Sequence, residues 1–171
     1  MSMSSAAIAT FEITLKALSG LLDKAEAFAA AKKIDPAVLL NARLAPDMFA
    51  LTRQIQVACD QAKNGSARLA GIDPPKFEDN ETTVAQLKER IAKTIAFVKS
   101  LDAKAIDGAG GRAITFPLGP KKGEMKGADY FNHFVLPNFY FHAAMAYAIL
   151  RHNGVEIGKQ SFLAGIPIQI S

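Results

Sequence analysis

Hydrophobic residues recur along this chain at helical spacing, most densely from Pro137 to Gly154, PNFYFHAAMAYAILRHNG. Asn138, His142, Met145 and Ile149 follow i, i+4, i+7, i+11 and share one stripe of a helix. Phe139, Ala143, Ala146 and Leu150 form a second stripe, and Phe141, Ala144 and Ala148 a third. A helix apolar on every side is expected to be buried on every side. The run is short for the ~20 residues of a membrane span, and Asn138 and His142 interrupt it. It therefore predicts the central helix of a soluble bundle, with no membrane partner. Pro137 suits the first turn, where a missing N–H costs nothing. Arg151 and His152 suit the last turn, and Gly154 the left-handed position just beyond it.

Earlier in the chain, Ile8, Phe11, Leu15, Leu18, Leu22 and Ala25 make an amphipathic stripe, predicting a helix from about Ser5 to Ala31. Ser4 or Ser5 can cap it, Lys32 and Lys33 complement its dipole, and Asp35-Pro36 ends it. The segment AVLLNARL predicts a short helical turn or two before Ala45-Pro46. A second long helix is expected from Pro46 to about Leu69, closed by Gly71, with Met48, Leu51, Ile55, Ala58 or Cys59, and Ala62 on its apolar face. The loop GIDPPKFEDNE is rich in turn formers. Thr83 and Gln86 then match a capping box, and Val84, Leu87, Ile91, Ile95, Val98 and Leu101 give a third helix ending near Ile106. Between Gly110 and Gly127 the period changes, predicting a small hairpin or ordered loop. Tyr130 to Leu136 leads into the central helix. Phe162, Leu163 and Ile166 of the tail VEIGKQSFLAGIPIQIS are expected to cover the bundle end. The fold class is all-α, a four-helix bundle with a short hairpin or loop before its last long helix, in a single domain spanning 1–171.

Composition changes this picture little. A chain of 171 residues that is 50% hydrophobic can bury a core without staples. The lone cysteine, Cys59, can form no internal disulfide, and the N-terminus has Glu12 in its apolar pattern with no basic leader. A cytoplasmic location is expected. The net charge of +4 comes from scattered residues, clustered only at Lys121, Lys122 and Lys126, so no nucleic-acid partner is expected.

Candidate chemistry is sparse. The histidines are His133, His142 and His152. On one helix the first two would diverge by about 180° and the last two by roughly 80°, so the chain is poorly equipped for a three-histidine metal site. His142 has two readings: a neutral core histidine bonded to a carbonyl or to Asn138, or a ligand or general base facing a pocket within the bundle. There is no CxxC, phosphate loop, HExxH or nucleophile elbow, and Gly108 to Gly111 lacks the strand and helix of a dinucleotide site. Cys59 reads as a packed small residue, and Phe139, Tyr140 and Phe141 as core. Tyr147 could supply a pocket hydroxyl or simply pack.

The segments RLAPDMF, QVACDQAK and RLAGI, followed by LPNFYFHAAMAYAILRHNGVEIGKQSFLAG, resemble a bacterial domain-of-unknown-function branch of the DinB/YfiT-like superfamily. The resemblance covers nearly the whole chain. It implies a four-helix bundle, usually dimeric, in which many members hold a divalent metal with one histidine on helix two and a His-x-x-x-His pair on helix four. Some members are thiol-dependent transferases or isomerases. HAAMAYAILRHNG is similar to the superfamily's HRGQ…LR..G segment, which puts His142 at the second ligand of the pair and Asn138 at the first. Helix two offers only Gln54, Gln56 and Asp60. Two of three ligands are therefore replaced, and no metal or other cofactor is expected. The resemblance implies a homodimer with a degenerate metal site and a candidate pocket of His142, Asn138, Gln54, Gln56, Asp60 and Tyr147. Such a protein would bind a small molecule or serve in a stress-related role. The alternative is a metal- or thiol-dependent enzyme of transferase or isomerase type using His142 and Asn138.

Overall fold

The computed structural model describes residues 2–168. Met1 and Gln169–Ser171, the last part of the tail expected to cover the bundle end, lie outside the described residues. The chain is mostly helical with one small sheet. Its long helices are α1 (Met3–Lys32), α3 (Leu51–Ala70), α4 (Val84–Ser100) and α7 (Leu136–His152). Short helices α2 (Pro36–Leu40), α5 (Ala103–Asp107), α6 (Gly127–Asp129) and α8 (Lys159–Phe162) join or flank them. Strands β1 (Ala113–Leu118) and β2 (Lys121–Lys126) form an antiparallel hairpin, paired from Ala113↔Lys126 to Leu118↔Lys121. Its turn uses Gly119 at φ 58°, a conformation that needs no Cβ.

The core is the meeting of the predicted stripes. Phe11, Leu15, Leu18 and Leu22 of α1 are buried in the same core as Phe139 of α7, with the Phe11 and Phe139 rings edge-on at 4.8 Å. By length and composition α1 is apolar enough to cross a membrane. In the fold, that same apolar side packs into the bundle.

Several ends differ from the sequence reading. The cap of α1 is Ser2, whose hydroxyl accepts from the Ser5 N–H, and neither Ser4 nor Ser5 holds that place. Helix α3 begins at Leu51, five residues after Pro46. Pro46 instead occupies the second position of a turn closed by Met48 N–H to the Ala45 carbonyl, where its fixed φ is favoured. Leu51 N–H then donates to the Ala42 carbonyl, folding the chain back on α2. Helix α4 stops at Ser100 because Asp102 turns its carboxylate onto Lys104 N–H and starts α5. Thr83 and Gln86 form the expected capping box.

The largest departure lies before α7. The helix runs without a break from Gly127 through a π-helical segment, Tyr130–Val135, into α7. Pro137 is thus inside a longer helix, and not at its start. A proline ring crowds the carbonyl four residues earlier and gives no N–H to the ladder. The wider π register just upstream accommodates it, and Asn138 Nδ2 donates to the Phe134 carbonyl at 2.7 Å. Nor is α7 buried on every side. Tyr140 is 43% and Phe141 53% exposed.

Candidate functional site

His142 projects from the buried stripe of α7 toward the N-terminal turn of α3. There its Nδ1 meets Gln54 Oε1 at 2.7 Å. The Gln54 amide is itself held, because Nε2 donates to the Phe49 carbonyl at 3.2 Å just before α3 begins. With Nε2 committed to an acceptor, Oε1 must be the acceptor for His142, so the imidazole carries its proton on Nδ1 and presents a lone pair at Nε2. The ring lies nearly parallel to Phe49 at 6.3 Å and edge-on to Phe141 at 5.2 Å. Burial, and then the charge of Arg53, hold the His142 pKa below its ordinary value, which keeps the imidazole neutral at pH 7.

The other sequence candidates do not join this pair. Asn138 spends its amide on the Phe134 carbonyl, so the expected Asn138–His142 hydrogen bond is replaced by Gln54–His142. Tyr147 packs edge-on to Phe162 at 5.9 Å. Gln56 and Asp60 belong to a separate polar network that sequence reasoning missed, centred on Arg90 of α4. The Arg90 side chain is almost wholly buried, and its Nη1 and Nη2 reach Glu81 at 2.9 Å, Asp60 at 3.0 Å, Asp79 at 2.9 Å and the Glu78 carbonyl at 3.0 Å. Gln56 Nε2 donates to Glu81, Arg53 pairs with Asp79, and Lys63 Nζ meets Asp60 at 3.0 Å. Three cations, Arg53, Lys63 and Arg90, thus face three carboxylates. Burial alone would raise the Glu81 carboxyl, but hydrogen bonds from Arg90 and Gln56 outweigh it and hold it below the ordinary range. The signal was present: Leu87, Arg90 and Thr94 follow i, i+3, i+7 on the buried face of α4, so an arginine stood where a core residue was due.

These geometries test the donor set that a divalent metal of the DinB kind would need. His142 Nε2 offers one nitrogen. Asn138 and Gln54 have their amides committed, and among the described residues no three His, Cys, Asp or Glu side chains converge as a metal site. His133 and His152 are exposed on the surface. The residues present do not fit that group. Cys59 is fully buried against the apolar side of α3, and burial pushes its thiol up to about 12.

Comparison with known proteins places the chain in a family. A family model described as a domain of unknown function (DUF1993) matches residues 3–163. The chain belongs to the DUF1993 family. The crystal structure of a DinB family member protein from Shewanella denitrificans at 1.83 Å resolution is 43% identical, covering 96% of this chain and 93% of that one, with a TM-score of 0.89. Among curated proteins none matches. DUF1993 is thus represented here by a helical bundle of the DinB-like superfamily, as the LPNFYFH…RHNG block implied.

Proposed function

We propose that this DUF1993 protein is a small-molecule-binding homodimer built on a DinB-type four-helix bundle whose metal site has become a structural pair. The observation that carries this reading is the 2.7 Å bond from His142 to Gln54. Of the two positions where the resemblance puts the ligand pair of the last helix, His142 is fixed by the Gln54 amide and Asn138 serves the helix backbone. Four long helices of 17 residues or more support the bundle type. Exposed Phe49, Tyr140 and Phe141 offer an apolar surface for self-association, and the buried unpaired Cys59 suits a reducing cytoplasm. The test is elemental analysis and light scattering on protein purified without a histidine tag. The reading expects no stoichiometric zinc or nickel and about twice the 18.3 kDa chain mass. A bound equivalent of metal would overturn the first half, and a strict monomer the second.

A second reading, catalysis with His142 as general base, is favoured by its fixed tautomer and depressed pKa. In that case Gln54 orients the base and Asn138 takes no part. Turnover of a thiol cosubstrate lost in His142→Ala would establish it.

A further inference from the structure

We infer that the hollow between the C-terminal half of α3 and the loop after it is a binding site for a small dianionic ligand, a phosphate monoester or a dicarboxylate. This rests on the small-molecule-binding reading and gives it a location away from His142. The hollow has a volume of about 340 Å³ and is lined by Asp60, Lys63, Asn64 and Arg68 of α3 and by Lys76 and Phe77, with Pro74 and Pro75 as wall. Asp60, Asn64 and Arg68 succeed one another at i, i+4, i+8, so one stripe of the helix faces the space.

Its charges do not cancel. The only carboxylate in the lining is Asp60, and its Oδ1 is already shared by Lys63 and Arg90. Arg68 donates to the Tyr130 hydroxyl at 3.2 Å, a neutral partner that leaves its charge uncompensated. Lys76 pairs at 2.8 Å with Glu78, both far out in solvent at 82% and 65% exposure, where a pair is worth little and yields readily to a better anion. Setting Lys63 against Asp60 leaves Arg68 with no anionic partner among the described residues and Lys76 with only the exposed Glu78, so two cations can close on a dianion that displaces Glu78.

The buried lysine points the same way. The Lys63 side chain is 4% exposed, yet of its three N–H donors one goes to Asp60 and one toward the face of Phe77, whose centroid is 4.3 Å from Nζ. The ammonium is thereby held in the wall of the hollow that Lys63 lines. The usual objection to an anion beside the last turns of a helix is the negative end of its dipole. Here Arg112 Nη2 sits on that end, donating to the Arg68 and Leu69 carbonyls at 3.1 and 2.6 Å. The proline pair and the Phe77 ring fix the opposite wall, so the site needs little ordering on binding.

Titration of the full chain with inorganic phosphate and, separately, with succinate, followed by calorimetry and amide NMR shifts, tests this. Saturable submillimolar binding of at least one is expected, with shifts centred on residues 60–77 and weakening as salt rises. Which probe binds more tightly distinguishes the phosphate from the dicarboxylate class. Lys76→Ala, at an exposed position that folding does not need, should weaken it several-fold, and Arg68→Gln by about tenfold. His142→Ala should leave it unchanged. No saturation by either dianion, or binding indifferent to both Lys76→Ala and Arg68→Gln, would overturn the site. That failure is separate from the failure of the metal-free homodimer reading, which elemental analysis and light scattering decide.

Discussion

Gly127 lies so close to Ala109 that a β-carbon on it would stand 2.1 Å from the Ala109 carbonyl oxygen. The approach is fixed from both sides, since Gly127 N–H donates to the Arg112 carbonyl at 2.8 Å and Ala128 N–H to the Gly110 carbonyl at 3.0 Å. These bonds tie the end of the hairpin to the start of the long helix that carries His142. Backbone cannot swing aside as a side chain can. Gly127→Ala is expected to destabilise the protein by about 2–3 kcal/mol, measured as a shift in urea midpoint at unchanged slope. A midpoint equal to wild type would show that the hairpin is free to move off the helix.

Arg90 makes a second prediction. Removing one partner of a buried ion network leaves the others uncompensated, so Arg90→Met should cost about 3–5 kcal/mol in denaturant melts. The network also sets an acid limit. Glu81 titrates below its ordinary 4.5 in the fold, so its contribution is complete above the unfolded value and is lost as pH falls through the lower folded one. Glu81→Gln should flatten the fall in stability below about pH 4.5. A loss of stability that keeps the wild-type steepness in Glu81→Gln would remove Glu81 from that role.

Much of this architecture is legible in the sequence, because period and caps are local properties. The stripe Phe11, Leu15, Leu18, Leu22, the Thr83–Gln86 box and the Gly71 terminus are each written within a few residues. What is not legible depends on residues far apart. Pro46 reads equally well as a helix start or a turn corner, and only the Leu51 bond to Ala42 decides for the turn. Pro137 reads as a helix start until the chain upstream adopts the wider π register. The candidate site split for the same reason. His142 and Gln54 are 88 residues apart and meet only through the packing of α7 on α3, while Gln56 and Asp60, two and six residues farther along the same helix, are claimed by Glu81 and Arg90.

Cys59 should behave as part of the core. Its thiol is fully buried and pushed up to about 12, first by desolvation, so little thiolate exists at neutral pH. Alkylation by iodoacetamide at pH 8 is expected to be far slower than for a free thiol and to follow global unfolding as denaturant is added. Rapid labelling of native protein would make Cys59 a candidate nucleophile after all.

His142 and Gln54 yield the most discriminating prediction, because its sign can be inverted by one substitution. The folded protein holds the imidazole below its ordinary value of 6.5, chiefly through burial and then through Arg53. A base depressed by folding binds fewer protons in the native state than in the unfolded one across that window. Stability is therefore complete above the unfolded value and declines as pH falls from about 6.5 toward the folded value. Gln54→Glu replaces the neutral acceptor with a carboxylate at the same place. The imidazolium then becomes the favoured partner, the pKa moves up, and the slope reverses, stability being lost as pH rises through the new value. His142→Ala, which strands Gln54 Oε1 and leaves a void, should cost about 2–3 kcal/mol and abolish the slope in this region. Imidazole ¹⁵N shifts of wild type should show the proton on Nδ1. A proton found on Nε2, or a Gln54→Glu protein whose histidine titrates as in wild type, would mean that the amide does not set the state of the ring.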